Sequence, residues 1–248
     1  MSPSLLAFLC LSIAGTALLS GIFGMAGGLI LIGILLVALP LPTAMMIHAI
    51  TQMTSNVSRA VLWRDHIQWR TAAAYVTGCA IAVILWSVVI FVPSKSIALL
   101  CLGVTPFLAY LLPARFAPDS SSPLQGMIYG VLCMSLMLLT GVAGPLLDSF
   151  FLGGRLDRRE IVATKGLCQV VGHGFKLIYF GAIVGNIGVL DPFVVALAIT
   201  ATVVGSMIAR PILQAMSDVQ FRYWAHLLIV GICVYYVAHG GYLMMVQT

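Results

Sequence analysis

The stretch GIFGMAGG, residues 21–28, places four glycines within eight residues inside one long apolar run, 5–39. An unbroken helix of that length would extend about 52 Å at 1.5 Å per residue, well beyond the ~30 Å hydrocarbon layer of a bilayer. Each glycine weakens a helix by roughly 1 kcal/mol. The stretch therefore predicts a helix that breaks at the glycines and folds back toward the face from which it came.

A second break lies in the apolar run 124–152, where TGVAGP occupies residues 140–145. Glycine ends helices, and Pro145 suits the first turn of a new helix because the N–H that it lacks is not needed there. The chain therefore carries the same device twice, once in each half.

Composition assigns the chain to the membrane. Of its 248 residues, 61% are apolar and 8% are charged, and the mean hydropathy is +1.11, whereas soluble domains carry about 25% charged residues. This excludes an ordinary soluble enzyme and predicts a polytopic helical membrane protein. No Lys or Arg precedes the first apolar run, so we expect no cleavable signal. The apolar segments are 5–39, 43–62, 69–92, 96–112, 124–152, 161–183, 190–210 and 223–246.

Positive charge fixes the expected orientation. The formal charge of +5 comes from Lys and Arg between apolar runs, which indicates membrane orientation rather than nucleic-acid binding. If all eight segments crossed, Arg-bearing loops would lie on both sides. If segments 1 and 5 are hairpins that enter and return on one side, every Arg-bearing loop is cytoplasmic and both termini are outside. Those arginines are Arg59, Arg64, Arg70, Arg115, Arg155, Arg158, Arg159, Arg210 and Arg222.

The predicted fold class is therefore an all-α polytopic membrane protein with eight hydrophobic segments in two inverted halves. Each half consists of a broken, re-entrant hairpin, formed by segments 1 and 5, and three transmembrane helices. The first transmembrane repeat is 1–112, the cytoplasmic linker is 113–123, and the second repeat is 124–248.

Polar stripes follow both breaks at helical spacing. They cost about 2.5–3.5 kcal/mol per residue at membrane depth and so face a bundle interior or a pathway. Amide, hydroxyl and basic groups suit an anion's oxygens, and hydrogen bonding between helices is the alternative. Arg59 and Lys176 lie nearer helix ends, and we expect them to snorkel. The candidate substrate-binding side chains are Thr51, Gln52, Asn56, Lys165 and Gln169.

The breaks themselves are candidate anion sites, because a helix that starts at a break directs free N–H groups and partial positive charge toward it. The alternative is that the glycines only permit close helix packing. The glycines concerned are Gly24, Gly27, Gly28, Gly141 and Gly144.

Three further side chains are candidates for proton coupling or substrate contact: His48, Asp148 and His173. Asp148 is the one acid deep within an apolar segment, and it could pair with Lys165 or titrate. The six cysteines form no CxxC pair, so we expect no disulfide, metal site or cofactor. The sequence carries no HExxH, GxSxG or Walker motif, which argues against an enzyme.

The paired breaks, the HAxTQxxSN stretch at 48–56 and RREIVATK at 158–165 resemble the sulfite exporter TauE/SafE family of membrane transporters. The resemblance spans about residues 5–246. It implies movement of small anions, chiefly sulfite, sulfonates and related organosulfur compounds. Ala143 stands where many members have glycine, so the resemblance leaves the individual substrate open.

The functional hypothesis is a secondary transporter or facilitator, most plausibly an exporter, of sulfite or an organosulfonate in the bacterial inner membrane. The anion would bind at the midplane between the two hairpins. The alternatives are a proton-coupled carrier of another small anion, such as thiosulfate or a carboxylate, and an anion channel. An enzyme acting through Cys168 is disfavoured, because no base or second thiol lies nearby in sequence. The expected partners are the anion and the bilayer, with no nucleic acid, and the expected oligomeric state is a homodimer.

Overall fold

The computed structural model describes residues 2–23, 26–111, 118–152, 156–184, 190–215 and 218–247, and these are almost entirely helical. A short 3-10 turn, Arg64–His66, follows the third helix, and a π turn, Tyr179–Ile183, continues the eighth. The helices are α1 Pro3–Phe23, α2 Ala26–Ala38, α3 Leu41–Leu62, α4 Trp69–Val89, α5 Lys95–Leu111, α6 Pro123–Thr140, α7 Gly144–Leu152, α8 Arg158–Ile178, α9 Pro192–Ala215 and α10 Asp218–Gln247.

The first long apolar run is broken, as predicted. Helix α1 ends at Phe23, and α2 starts at Ala26 and packs back against α1. A Cβ atom at position 27 would overlap the carbonyl oxygen of Thr16 and the hydroxyl of Ser20. Only glycine permits this approach of two helix backbones, so Gly27 is what lets α2 start beside α1.

The second break is also confirmed. Helix α6 ends at Thr140, and Gly141 follows in the left-handed region with a φ of 91°, donating its N–H to the Met137 carbonyl. Helix α7 then starts at Gly144, with Pro145 in its first turn. In both halves the helix before the break is the longer one, with 21 against 13 residues in the first half and 18 against 9 in the second.

Two of the main helix pairs join the first half to the second in parallel. Helix α1 packs on α9, where Ala14 meets Gly205 and Gly21 meets Ala209 further along both helices. Helix α4 packs on α6 in the same sense, with Gly126 against Ala74 and Gly130 against Gly78.

The other two main pairs are antiparallel. Helix α3 packs on α8, and α5 packs on α10, where Gly103 meets Val237 and Gly240 meets Leu100. The four pairs are consistent with a repeat in which α1 corresponds to α6, α2 to α7, α3 to α8, α4 to α9 and α5 to α10. Under this correspondence the α1–α9 pair is equivalent to the α6–α4 pair, and α3–α8 and α5–α10 each join two equivalent helices.

Several connections meet at one end of the bundle. The backbone N–H of Gln68 donates to the Thr164 hydroxyl at 2.9 Å, and the Thr71 hydroxyl donates to the Ser120 carbonyl at 2.9 Å. The guanidinium of Arg159 lies over the Trp63 ring, 5.0 Å from its centroid. The turn after α3, the segment before α6 and the start of α8 therefore share one end of the molecule.

Within the described part of the chain, five helices are long and apolar enough to cross a membrane: Pro3–Phe23, Trp69–Val89, Pro123–Thr140, Pro192–Ala209 and His226–Val246. Large apolar side chains on their outer faces are exposed, as hydrocarbon contact requires. Helices α3 and α8 are long enough but more polar, and they pack against each other and against helices of both halves. The least apolar long helices thus pair across the two halves.

Candidate functional site

A polar cavity of about 190 Å³ lies between α3, α7, α8 and the end of α1. This volume is below the roughly 300–1,000 Å³ of pockets for drug-sized ligands, so the cavity suits a small ligand. The residues that line it are Ser20, Phe23, Gln52, Ser55, Asn56, Arg59, Asp148, Lys165 and Gln169.

Facing stripes on α3 and α8 build most of the cavity. Gln52 and Asn56 are one helical turn apart on α3, as are Lys165 and Gln169 on α8, so each pair lies on one helix face. The two helices approach closely at Gly166, where a Cβ atom would lie 3.4 Å from the Asn56 carbonyl oxygen. This close contact brings polar groups from both halves of the chain to one space.

The charged groups of the cavity are two cations and one anion. Lys165 forms an ion pair and hydrogen bond with Asp148 of α7, and the two side chains remain 20% and 23% exposed. Arg59 donates to the Asn56 side-chain oxygen at 3.4 Å. Arg59 and Lys165 against Asp148 leave one net positive charge among the lining residues, which favours an anion.

The amide groups supply uncommitted donors. The Asn56 amide nitrogen donates to the Gln52 carbonyl at 2.8 Å, so its side chain is held within α3. The side-chain amides of Gln52 and Gln169 have no hydrogen-bond partner among the residues that the structure describes. Gln52 also lies against the first break, since a Cβ atom at Gly28 would be 3.1 Å from its side-chain oxygen.

A second polar group, which we call the buried centre, consists of His48, His173 and Lys176. Lys176 Nζ donates to the Gly141 carbonyl at 2.9 Å and lies 2.8 Å from His48 Nδ1. His48 Nε2 lies 3.0 Å from the Gly28 carbonyl oxygen, and the two imidazole rings are 5.6 Å apart between centroids. A carbonyl oxygen can only accept, so Nε2 carries the hydrogen and Nδ1 accepts from Lys176. The buried centre thus ties both helix breaks together.

The structure brings most of the predicted side chains into one place. Gln52, Asn56, Lys165 and Gln169 line the cavity, and Asp148 pairs with Lys165, which was one of its two expected roles. In the buried centre, His48 lies one turn before Gln52 on α3, and His173 lies one turn after Gln169 on α8.

The remaining predicted residues serve the framework around the cavity. The Thr51 hydroxyl donates to the His48 carbonyl at 2.8 Å and does not line the cavity. Gly27 packs on α1, the carbonyl of Gly141 accepts from Lys176, and Gly144 starts α7. Gly24 lies outside the described residues.

The expectation that Lys176 snorkels is wrong. Its side chain is fully buried and donates to the Gly141 carbonyl inside the bundle. The helical run continues past it through the π turn Tyr179–Ile183, so Lys176 does not stand at the end of that run. Arg59 lines the cavity instead of leaving it. The sequence does hold a sign that Lys176 faces inward. It follows Lys165 by eleven residues, about three helical turns, which places both lysines on one face of α8. Ser20 and Phe23 of α1 were not predicted, although they directly precede the first break.

Comparison with known proteins gives one match. No curated protein and no solved structure matches the chain. The family model described as "Sulfite exporter TauE/SafE" matches residues 7–236, nearly the whole chain. The broken helices, the apolar spans and this match together show that the chain belongs to the sulfite exporter TauE/SafE family of membrane transporters.

Proposed function

We propose that this protein is a secondary transporter that exports a small anion, and that the anion binds in the polar cavity between α3, α7 and α8. The observation that carries the proposal is the lining of that cavity. Amide, hydroxyl, guanidinium and ammonium groups from both halves of the chain converge on about 190 Å³, with one net positive charge.

Asp148 indicates how an anion is held. Its carboxylate already pairs with Lys165, so the cavity accommodates an oxyanion group beside this ammonium. Because both side chains are only partly buried, the pair can open without leaving a charge in an apolar environment. A bound anion would take the place of the Asp148 carboxylate at Lys165.

The substrate class follows from the family together with the donors. Sulfite and organosulfonates present several oxygens on one sulfur atom, and these accept hydrogen bonds from the free amides of Gln52 and Gln169 and from Arg59. Thiosulfate and small carboxylates use the same donors and are the alternative substrates.

We infer that the chain is an inverted repeat, with 1–112 and 124–248 as the repeats and 113–123 as a cytoplasmic linker. The antiparallel pairing of α3 with α8 and of α5 with α10 supports the inversion, since these are equivalent helices. A re-entrant second hairpin is supported by the contacts of Gln68 and Thr71, which place the first turns of α8 and the segment before α6 beside the start of α4, on one side of the α6–α7 run. The proposed location is the bacterial inner membrane, with both termini outside.

Carrier action is favoured over a channel by the buried centre. His48 and His173 each lie one turn from a residue that lines the cavity, and Lys176 lies about one turn beyond His173. All three are buried, so the polar stripe ends in tightly packed side chains. A cell interior about 100 mV negative contributes roughly 2.3 kcal/mol toward export for each net negative charge that crosses.

The test is thermal stabilisation of the purified protein by sulfite, methanesulfonate, thiosulfate, sulfate, acetate and phosphate. A ligand at 100 times its Kd adds about 2.7 kcal/mol to the free energy of unfolding. We expect stabilisation by the sulfur oxyanions that is lost in Lys165→Met and kept in Lys95→Met, a matched change at the start of α5. No stabilisation by any anion, or full stabilisation of Lys165→Met, would contradict the proposal.

A further inference from the structure

The buried centre is the least expected chemistry in the molecule. Lys176 is fully buried, yet among the described residues no carboxylate pairs with it. An isolated ammonium in an apolar interior is strongly unfavourable, and buried charges are normally paired or neutralised. The polar groups that meet Lys176 are a backbone carbonyl and an imidazole nitrogen.

A count of donors and acceptors shows that the hydrogen bonds of Lys176 and His48 are satisfied when both side chains are neutral. A neutral amine has two N–H groups, and Lys176 has two acceptors, the Gly141 carbonyl and His48 Nδ1. His48 is satisfied on its other side by the Gly28 carbonyl. His173 Nδ1 is buried and has no hydrogen-bond partner within the described part of the chain. The centre can therefore take up one proton, on the Lys176 amine or on His173.

No carboxylate available within the described residues neutralises that proton. From α7, Asp148 is held by Lys165, and from the π turn the Tyr179 hydroxyl donates to the Phe91 and Trp86 carbonyls. Helix α2 and the described side chains of α9 contribute no ionisable group. The other ionisable groups on α4, α6 and α8 near the middle of the bundle are uncharged phenol and thiol groups, on Tyr75, Cys79, Cys133 and Cys168. The 3-10 turn, with Arg64, Asp65 and His66, lies beside the opposite end of α8.

The polar cavity lies next to the centre. Gln52 follows His48 by one turn of α3, and Gln169 precedes His173 by one turn of α8, a rise of about 5–6 Å. We propose that His48, His173 and Lys176 form a proton-binding site whose proton moves together with the anion in the cavity. The inference rests on the proposed function, because the countercharge for the proton is the transported anion.

Each ligand stabilises the other. The proton supplies positive charge for the anion, and the anion supplies the charge that the buried centre lacks, so by linkage each increases the affinity for the other equally. A monovalent sulfonate would cross with no net charge, whereas a divalent anion would carry one negative charge. Transport of the first is then insensitive to membrane potential, and transport of the second is not.

The experiment uses the full chain in proteoliposomes with a trapped pH-sensitive dye and the membrane potential held at zero. Methanesulfonate is the probe, because it stays an anion from about pH 6 to about pH 8 and cannot itself carry a proton. We expect one proton to cross with each methanesulfonate, and its affinity to fall by up to about tenfold per pH unit as the pH rises. If methanesulfonate does not cross, calorimetry in two buffers of different ionisation enthalpy counts the protons taken up on binding of thiosulfate, which likewise stays unprotonated in this pH range.

Matched variants locate the proton. Lys176→Met and His173→Gln should remove proton movement and the pH dependence of affinity, and His226→Gln, an exposed histidine of α10, should keep both. Anion movement or binding without a proton in the wild type would overturn the inference and leave the proposed function standing. Proton coupling that persists in Lys176→Met and His173→Gln but is lost in Asp148→Asn would overturn it in favour of Asp148. If none of sulfite, thiosulfate and methanesulfonate binds, the proposed function itself fails, and the inference with it.

Discussion

Lys165 and Lys176 stand on the same face of α8, three turns apart, in opposite surroundings. Lys165 is one-fifth exposed and pairs with a carboxylate on α7. Lys176 is fully buried, and its polar contacts among the described residues are the Gly141 carbonyl of the second break and the His48 imidazole of α3. One lysine has a partner that an anion can replace, and the other has partners that belong to the framework. In the roles proposed above, position along α8, rather than residue type, separates anion contact from proton binding.

The largest expected effect comes from the break that holds the surroundings of Lys176 in place. In Gly27→Ala, the new methyl group would overlap the Thr16 backbone carbonyl, which cannot move away as a side chain could. We expect a loss of about 3 kcal/mol or failure to fold, measured as the yield and Tm of the purified protein. Gly15→Ala is the control, because nothing lies within 4 Å of its new methyl group. Equal stability of the two variants would contradict the tight packing of α2 on α1.

The two lysines should differ in anion affinity when each is changed to methionine. Lys165→Met removes the direct charged donor, and we expect a loss of about 3 kcal/mol, on the order of a hundredfold in Kd. Lys176→Met acts only through the charge of the proton at the buried centre, two turns of α8 beyond Gln169, and we expect about tenfold or less. Calorimetric titration with sulfite measures both. A larger effect of Lys176→Met would place the anion in the buried centre instead.

Asp148→Asn should change affinity in the opposite direction. Removing the carboxylate frees Lys165 and raises the net charge of the cavity from one to two. We expect tighter binding of sulfite by about tenfold, equivalent to about 1.4 kcal/mol. Unchanged or weaker binding would show that Asp148 is not displaced by the anion. Asp191→Asn, at the start of α9, is the control acid.

The smallest effect concerns the start of α8, at the end nearer Lys165. Asp157 accepts from the Glu160 and Arg159 backbone N–H groups, and the Glu160 side chain accepts from the Asp157 N–H. These hydrogen bonds, that of Glu160 first, lower the pKa of the Asp157 carboxyl. Asp157→Ala should lower Tm by a few degrees near neutral pH.

Because the pKa of Asp157 is lowered in the folded protein, its contribution is present above the unfolded-state pKa and is lost as the carboxyl is protonated. The Tm difference should therefore shrink below about pH 4. Thermal unfolding across pH measures this, with Asp65→Ala as an exposed control. A difference that grows on acidification would contradict the capping role.

Much of the architecture could be predicted from residue spacing. Glycine clusters at 21–28 and 140–145 predicted both breaks, because glycine weakens helices whatever surrounds them. The helical period placed Gln52 with Asn56, and Lys165 with Gln169, on single faces, and all four line the cavity. The helical period predicts which face of a helix a residue occupies, but it does not predict how deeply that residue is buried. For this reason Lys176 was expected at the surface, whereas its side chain is fully buried.

The sequence by itself determined the membrane class, the two breaks and the polar faces of α3 and α8, since these depend on hydropathy and on local helix propensity. Tertiary structure alone decided that Lys165 meets Asp148 while Lys176 meets His48 and Gly141. Those contacts depend on how α3 and α8 cross and on where α7 begins, and both are set by packing between residues far apart in the chain. Ser20 and Phe23 reach the cavity for the same reason, because α1 ends where the folded halves meet.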